Sequence, residues 1–349
     1  MKKFLALLLT GAMVALTACG SADTTSSETT DAAETTEAAD ETETAETAEA
    51  DTAAADGKTF TVGICQLVQH EALDAATQGF KDALTEEFGD SVTFDEQNAQ
   101  GDSNTCATII NSFVSNNVDL ILANATPALQ AAATGTTEIP ILGTSVTDYA
   151  TALDISDWTG ATGMNISGTC DLAPIDEQEA MLKELVPDAK TVGILYCSAE
   201  PNSAYQAKKF EEALDKDGIK YKEYTAADSN EIQSVVTSAV DDCDAIYIPT
   251  DNTMAANTEI INNICLPEKV PVIAGEQGIC SGCGIATLSI SYYDIGYRAG
   301  EMAYEILVDG KDISTMEIES APKVTKMYNK TICDELGITV PDDYEAIEE

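Results

Sequence analysis

The chain has 349 residues and a formal net charge of −44, with 61 acidic residues against 17 lysines and arginines. Such an acidic surface repels nucleic-acid phosphates and anionic lipid headgroups, so functions that depend on binding either of them are disfavoured. The length exceeds that of one typical domain and 44% of the residues are hydrophobic, so we expect two hydrophobic cores.

The first residues have the pattern of an export signal. Lys2 and Lys3 precede an apolar run, Phe4 to Leu16, which leads into Thr17-Ala18-Cys19. This order is typical of a bacterial lipoprotein signal that is cut just before the cysteine. We predict a signal peptide over residues 1–18, acyl chains on Cys19, and anchoring to the extracytoplasmic face of the cell membrane. The alternative is an ordinary cleaved signal in which Cys19 is incidental.

The segment 19–57 is predicted to be a spacer. After its cysteine it consists almost entirely of Ser, Thr, Ala, Asp and Glu, without any aromatic residue. Such a composition cannot build a core, and its like charges repel one another. We expect a disordered acidic tether between the lipid and the folded part.

Short apolar runs alternate with helical periodicity in the rest of the chain. Thr61 to Leu67 reads as a strand, and Glu71 to Phe88 repeats apolar residues at the spacing of a helix that covers a sheet. The alternation continues through 92–98, 104–115, 118–123, a helix from 126, and 139–142. Repeated βαβ units predict a parallel sheet with helices on both faces.

The pattern then recurs in the second half of the chain. Val192-Gly193-Ile194-Leu195 echoes Val62-Gly63-Ile64-Cys65, and Val270-Pro271-Val272-Ile273 echoes Ile139-Pro140-Ile141-Leu142. A repeat of this length indicates a duplicated domain. We therefore predict an α/β fold of two doubly wound, Rossmann-like lobes, with a ligand between the carboxyl ends of their strands.

The ten cysteines leave an odd number once Cys19 is set aside, so at least one thiol should stay unpaired within the molecule. Cys280 and Cys283 form a CxxC pair beside glycines that indicate a turn between strands. A redox pair, half of a zinc site and a local disulfide are the alternatives. His70 is the single histidine, which disfavours zinc. We expect a structural disulfide or idle thiols, and neither metal nor cofactor.

Polar side chains follow several predicted strands. Thr126 opens a helix, with Thr144 and Ser145 at the end of the next strand; hydroxyls and free N–H groups there suit an anion. Glu200 and Asp251 provide carboxylates in the second half. One anion-binding side and one cation-binding side suit a zwitterion. The alternative is that all of these residues form caps and turns.

These loops resemble those of a known family. The matching stretches are Gln66 to Asp74, Ala125 to Ala128, Val146 to Asp148, Asn165 to Thr169, Leu195-Tyr196 with Glu200 to Ser203, Pro249 to Asn252, and Ser291 to Gly296. Over Phe60 to about Pro341 the chain is similar to the lipoprotein substrate-binding components of ABC transporters, which have the type I periplasmic-binding fold. The best-known members bind tryptophan and related aromatic amino acids. Tyr149 stands where the family often has proline.

The resemblance implies a receptor without catalytic activity that closes two lobes on a small, aromatic amino acid and delivers it to an ABC permease. We expect a monomer that binds no nucleic acid. The chain should cross between lobes near 165–171, 287–291 and 310–313. The first lobe would then hold 59–168 and 290–311, and the second 169–289 and 312–349, joined by a hinge of several strands.

Roles for individual side chains follow from the same resemblance and from the zwitterion argument. We expect the ligand carboxylate to be held by Thr126, Thr144 and Ser145, and the ammonium by Asp251 with help from Glu200 and Asn202. The ligand side chain is expected to meet Gln66, His70 and Asn252. Tyr292 or Tyr293 would pack against an aromatic ring of the ligand. Their alternative role is packing at the hinge.

Two other classes of function stay open. A surface hydrolase would need a base beside its nucleophile, but His70 is the single histidine and the chain has no Gly-x-Ser-x-Gly elbow. A CxxC oxidoreductase would need Cys280 at a helix N-terminus. A sensor or adhesin with the same fold would bind a ligand without transport, and the sequence does not distinguish it from a transporter subunit.

Overall fold

The computed structural model describes residues 58–347. The predicted signal peptide, Cys19 and the acidic tether lie outside this range. The strands are β1 (Phe60–Gln66), β2 (Val92–Asn98), β3 (Leu120–Asn124), β4 (Ile141–Val146), β5 (Ile166–Cys170), β6 (Thr191–Cys197), β7 (Lys220–Ala226), β8 (Ala245–Ile248), β9 (Val272–Ala274), β10 (Ala286–Ser289), β11 (Glu319–Ser320), β12 (Thr325–Tyr328) and β13 (Glu345–Ala346).

The helices lie between these strands. They are α1 (Glu71–Phe88), α2 (Ser103–Asn116), α3 (Thr126–Gly135), α4 (Tyr149–Ala152), α5 (Ile175–Leu185), α6 (Pro201–Asp217), α7 (Ile232–Asp242), α8 (Asn252–Ala255), α9 (Thr258–Cys265), α10 (Gln277–Cys283), α11 (Tyr292–Leu307) and α12 (Lys330–Leu336). Within residues 58–347, none of the helices combines the length and the apolar character that crossing a bilayer would require.

The strands form two sheets with the same internal order, which confirms the predicted fold class. The first sheet runs β11-β5-β4-β3-β1-β2 and the second β13-β12-β10-β9-β8-β6-β7. Apart from the antiparallel β10–β12 pair, neighbouring strands are parallel. Apolar clusters cover the faces of each sheet, with Phe113 and Phe80 in the first lobe and Phe210 and Ile246 in the second. Burial of these faces drives the folding of each lobe.

The chain crosses between the lobes after β5, after β10 and after β11. The last crossing comes later than the expected boundary at residues 311–312, because β11 pairs with β5 and Met316 is buried in the first core. Ser167 Oγ also donates a hydrogen bond to the carbonyl oxygen of Met316, at 3.1 Å. A two-residue strand is too short to show a hydrophobic period, so the sequence could not place this segment.

Helices α1 and α11 approach closely enough to exclude side chains at two positions. A Cβ on Gly79 would lie 2.1 Å from the Tyr293 carbonyl oxygen, and one on Gly296 would lie 2.0 Å from that of Ala76. Since α1 begins just after His70 and α11 begins at Tyr292, this contact fixes two predicted site residues relative to each other.

The CxxC pair lies on α10 and not in the expected turn between strands. Glu276 caps that helix through the backbone N–H groups of Gly278 and Ile279. Cys280 and Cys283 are buried free thiols, and burial raises the pKa of both. A redox-active thiolate needs a lowered pKa. The two expected states were a structural disulfide and idle thiols, and the structure contains idle thiols.

Candidate functional site

The candidate site lies between the lobes, at the carboxyl ends of the central strands. His70 Nε2 of the first lobe is 3.2 Å from Asn252 Oδ1 of the second. Gln206 Nε2, on α6 of the second lobe, is 3.5 Å from Thr147 Oγ1 of the first. These contacts describe lobes that are closed on each other.

A cavity of about 270 Å³ lies between the facing loops. This volume is just below the usual range of small-molecule sites, about 300–1,000 Å³. Its lining is apolar at Leu67, Val68, Pro127 and Ala199, and polar at residues that include Glu200 and Asn252. Such a lining suits a ligand with an apolar body and a few polar groups.

The first lobe presents hydroxyls at the start of α3. Ala125 precedes this helix with φ 92°, and Ser145 at the end of β4 has φ 55°. The side chains of Thr126 and Ser145 are 3% and 6% exposed, and neither Oγ atom has a hydrogen-bond partner. Strained backbone and unpartnered buried hydroxyls are both costly, and both are typical of ligand sites.

An anion fits this position. Ala125 is the cap residue of α3 and has no polar side chain, so the helix N-terminus lacks an internal acceptor for its free N–H groups. The partial positive charge there favours a carboxylate. Thr126 is the first residue of α3.

Thr144 has an internal partner. It is fully buried in β4, where its hydroxyl lies 3.1 Å from Thr169 Oγ1. Its carbonyl oxygen accepts a hydrogen bond from the N–H of Ala125, at 3.0 Å. Thr144 therefore links the end of β4 to β5 and to the residue that precedes α3.

Glu200 organises the second lobe's side of the site. Its Oε2 accepts from the backbone N–H and the Nδ2 of Asn252, at 3.0 and 2.7 Å. Its Oε1 accepts from the backbone N–H and the hydroxyl of Thr253, at 2.8 and 2.7 Å. Asn202 Nδ2 is 3.3 Å from the same carboxylate, while Asn202 Oδ1 is buried without a partner.

Asp251 is a helix cap as well as a buried charge. Its Oδ1 accepts from the N–H of Met254 at 2.8 Å, and its Oδ2 accepts from the N–H of Cys197 at 2.7 Å. Burial, reinforced by the nearby negative charge of Glu200, raises the pKa of Asp251 to about 8. The carboxylate expected to hold an ammonium thus also joins β6 to α8.

Two further buried carboxyl groups flank the hinge. Asp171 accepts from Thr147 Oγ1 and from the Tyr292 hydroxyl, each at 2.9 Å. Burial raises the pKa of Asp171, and it raises the pKa of Glu276 to about 7. Tyr292 is buried against this group, whereas Tyr293 is 40% exposed and donates to Asp82 on α1. Of the two tyrosines, Tyr292 is the one buried at the hinge, and its contact with a ligand ring stays a prediction.

These carboxyl groups lack a positive partner. Within residues 58–347, the ion pairs join other acids, and none includes Asp171, Glu200, Asp251 or Glu276. Buried charge without a partner is expensive, and a cation placed among these groups would compensate it. The site therefore offers an anion-binding end in the first lobe and a cation-binding region in the second lobe and the hinge.

Gln66 occupies a network inside the first lobe. Its Nε2 donates to the Val68 carbonyl oxygen and to Asp74, at 2.9 and 2.7 Å, and its Oε1 accepts from Thr77 at 2.7 Å. Its amide hydrogens are therefore used, and the structure places Gln66 as a support for the loop that carries His70. The predicted contact of Gln66 with the ligand side chain has no free donor.

The sequence reasoning missed several residues of the site. Asp171 directly follows β5 and Glu276 is the second residue after β9, but neither is among the predicted site residues. Asn124, at the end of β3, was also missed; its Oδ1 is buried without a partner. Gln206, which bonds across the lobes, lies inside a helix, where the rule of inspecting strand ends gives no signal.

Comparisons with known proteins agree with this architecture. The family model described as ABC transporter substrate binding protein matches residues 61–347. A tyrosine-binding protein of Clostridioides difficile strain R20291 is 36% identical over 276 residues, which cover 78% of this chain and 79% of that protein.

Two solved structures are similar to this chain, with different TM-scores. The ABC domain of Streptococcus pneumoniae in complex with L-Trp has a TM-score of 0.79 at 31% identity, covering 83% of this chain and 100% of that one. The ligand-free, open structure of a Clostridium difficile substrate-binding protein with adhesive properties has a TM-score of 0.64 at 36% identity, covering 83% and 99%. The lobes thus stand closer to the arrangement of the L-Trp complex, although its sequence is less similar.

Proposed function

Because the chain belongs to the family of ABC transporter substrate-binding proteins, we propose that it captures a free aromatic amino acid between its lobes for an ABC importer. The observation that supports this proposal is that two sets of buried polar groups, each without its natural partner, face each other across the site. Thr126 and Ser145 supply buried hydroxyls without partners beside a helix N-terminus. The facing carboxyl groups have no cation among the described residues.

A zwitterion matches both ends at once. Its carboxylate accepts from the hydroxyls and the free N–H groups of α3. Its ammonium enters the region of Asp251, Glu200 and the hinge acids, where it offsets the cost of their burial. A neutral sugar would satisfy the hydroxyls but would leave the buried carboxyl groups without a cation.

The aromatic side chain is supported by the cavity and by the relatives. Leu67, Val68 and Pro127 offer apolar surface for a ring. The similar proteins are described as tyrosine-binding and as a complex with L-Trp. The ligand leaves chemically unchanged, since binding and release are all that this receptor performs.

The place of action is part of the proposal. Acyl chains on Cys19 would hold the receptor at the outer face of the cell membrane, next to the permease that accepts its ligand. Metabolic labelling with an alkyne fatty acid should mark the natural protein and not Cys19→Ala. Label that persists in this variant would contradict the anchor.

Adhesion is a second candidate role. It is favoured by one observation, the similarity to a solved Clostridium difficile protein described as having adhesive properties. Beads coated with the purified protein should then bind host cells or matrix more than beads coated with an equally acidic control protein. Equal binding of both kinds of bead would remove this candidate.

A thermal-shift panel tests the proposed ligand class. At a ligand concentration of a hundred times Kd, binding stabilises the folded state by about 2.7 kcal/mol. L-tyrosine and L-tryptophan should raise the melting temperature most. Tyramine, which lacks the carboxylate, and N-acetyltyrosine, which lacks the ammonium, should raise it far less. Stabilisation by sugars or nucleosides alone would contradict the proposal.

A further inference from the structure

His70 combines one satisfied and one unsatisfied ring nitrogen. Its Nε2 lies 3.2 Å from Asn252 Oδ1, whereas its Nδ1 is buried without a partner. His70 stands just before α1, and its side chain does not cap that helix. Neither nitrogen is therefore engaged in stabilising the helix start.

The neighbours of His70 determine which nitrogen carries the proton. Asn252 Nδ2 donates to Glu200 Oε2 at 2.7 Å, so the amide oxygen of Asn252 must face the histidine. That oxygen only accepts, and Nε2 of His70 must therefore be the donor. Burial lowers the pKa of His70, although its bond to Asn252 and the charges of Glu200 and Asp74 oppose this effect. In the neutral ring, Nδ1 then carries a bare lone pair.

We propose that Nδ1 of His70 accepts a hydrogen bond from the side chain of the ligand, and so selects tyrosine or tryptophan over phenylalanine. This inference rests on the proposed function. The phenol O–H and the indole N–H are donors, and phenylalanine has none. A phenylalanine ring would leave the buried lone pair unpaired, and that cost is the source of the discrimination.

The ligand's ammonium is a weaker match for this nitrogen than the ligand's side chain. The ammonium is attracted to the buried carboxyl groups, which outcompete a neutral lone pair for a cation. Asn252, the partner of His70, lines the cavity that Leu67, Val68 and Pro127 make apolar. His70 itself lines an adjoining opening, which shares Ala256 with this cavity.

A ligand series on the natural protein tests the acceptor directly. Calorimetry would compare L-tyrosine and 4-aminophenylalanine, which carry a donor, with 4-fluorophenylalanine and phenylalanine, which do not. We expect the donors to bind about ten- to a hundredfold tighter, the range for an unpaired buried polar group. Equal affinity for tyrosine and 4-fluorophenylalanine would overturn the inference. If no aromatic amino acid bound at all, the proposed function itself would fail.

Two matched variants separate the ring nitrogens. His70→Gln can keep a donor toward Asn252 but loses the acceptor at the position of Nδ1. Its affinity for tyrosine should fall about ten- to a hundredfold, while that for phenylalanine changes less than about threefold. His70→Asn keeps an acceptor near the position of Nδ1 and should retain the preference for tyrosine. An unchanged preference in His70→Gln, or an equal loss for both ligands, would overturn the role of Nδ1. Should His70→Gln fail to fold, the ligand series decides.

Discussion

Replacing Glu200 by alanine is expected to weaken the binding of tyrosine by about 2–5 kcal/mol, the range for truncating one partner of a buried hydrogen-bonded charge pair. The carboxylate accepts from the backbone and side chains of Asn252 and Thr253, all at 3.0 Å or less. Without it, those donors lose their acceptor, Asn252 is free to turn, and the contact with His70 is lost. Calorimetry with L-tyrosine measures the change.

Two further variants show whether the effect belongs to this carboxylate. Glu200→Gln keeps one acceptor oxygen but turns an N–H₂ group toward existing donors. Its affinity for tyrosine should therefore lie between that of the natural protein and that of Glu200→Ala. Glu268→Ala removes an exposed acid of the same lobe and should leave affinity and stability unchanged. An unchanged affinity in folded Glu200→Ala would show that the loop of Asn252 is held by other contacts.

The stability of the ligand-free protein is expected to fall as the pH rises from 5.5 to 8. Burial raises the pKa of Asp251 to about 8 and that of Glu276 to about 7, whereas both would titrate near pH 4 in the unfolded chain. Between these values the folded state binds more protons than the unfolded state, so stability decreases with pH. Titration of the two groups lowers the free energy of unfolding by at most about 5 kcal/mol over this range. This value is an upper bound because opening of the lobes returns both groups to water.

Bound ligand should remove much of this pH dependence. An ammonium among the carboxyl groups stabilises their ionised form, so binding at pH 7 should release protons. Urea unfolding at both pH values, with and without tyrosine, measures the first effect. Calorimetry in two buffers of different ionisation enthalpy measures the second. Glu276→Gln should have a shallower slope than the natural protein. A ligand-free stability that rises between pH 5.5 and 8 would contradict this assignment.

The fold could be predicted from the sequence because the apolar runs of the strands and the helical spacing of apolar residues are both strong. The apolar run of β1 is followed by the helical spacing of α1, and β6 is followed by α6 in the same way. The duplication and the parallel sheets could therefore be predicted. The CxxC segment was misjudged because Gly278 and Gly282 suggested a turn. Capping by Glu276 and packing of Cys280 and Cys283 against the second core make the segment helical.

Only part of the candidate site could be predicted from the sequence. Thr126, Ser145, Glu200 and Asp251 could be predicted because they lie at or just after the ends of strands, and parallel strands end at one edge of a sheet. Position along the chain does not distinguish residues with spare hydrogen-bonding capacity, such as Ser145, from those already satisfied, such as Gln66. That distinction depends on contacts far apart in the chain, such as Gln66 with Thr77 or His70 with Asn252. A single sequence does not encode such contacts in any local pattern.

We propose that an aromatic amino acid lies between the lobes with its carboxylate at α3 and its ammonium among the buried acids. A crystal structure of the protein grown with L-tyrosine tests it most directly. We expect the ligand carboxylate oxygens within hydrogen-bonding distance of Thr126 Oγ1 or Ser145 Oγ, the ammonium beside the carboxyl groups of the second lobe or hinge, and the phenol at His70 Nδ1. A ligand bound in the reverse orientation, or outside the interlobe cleft, would contradict it.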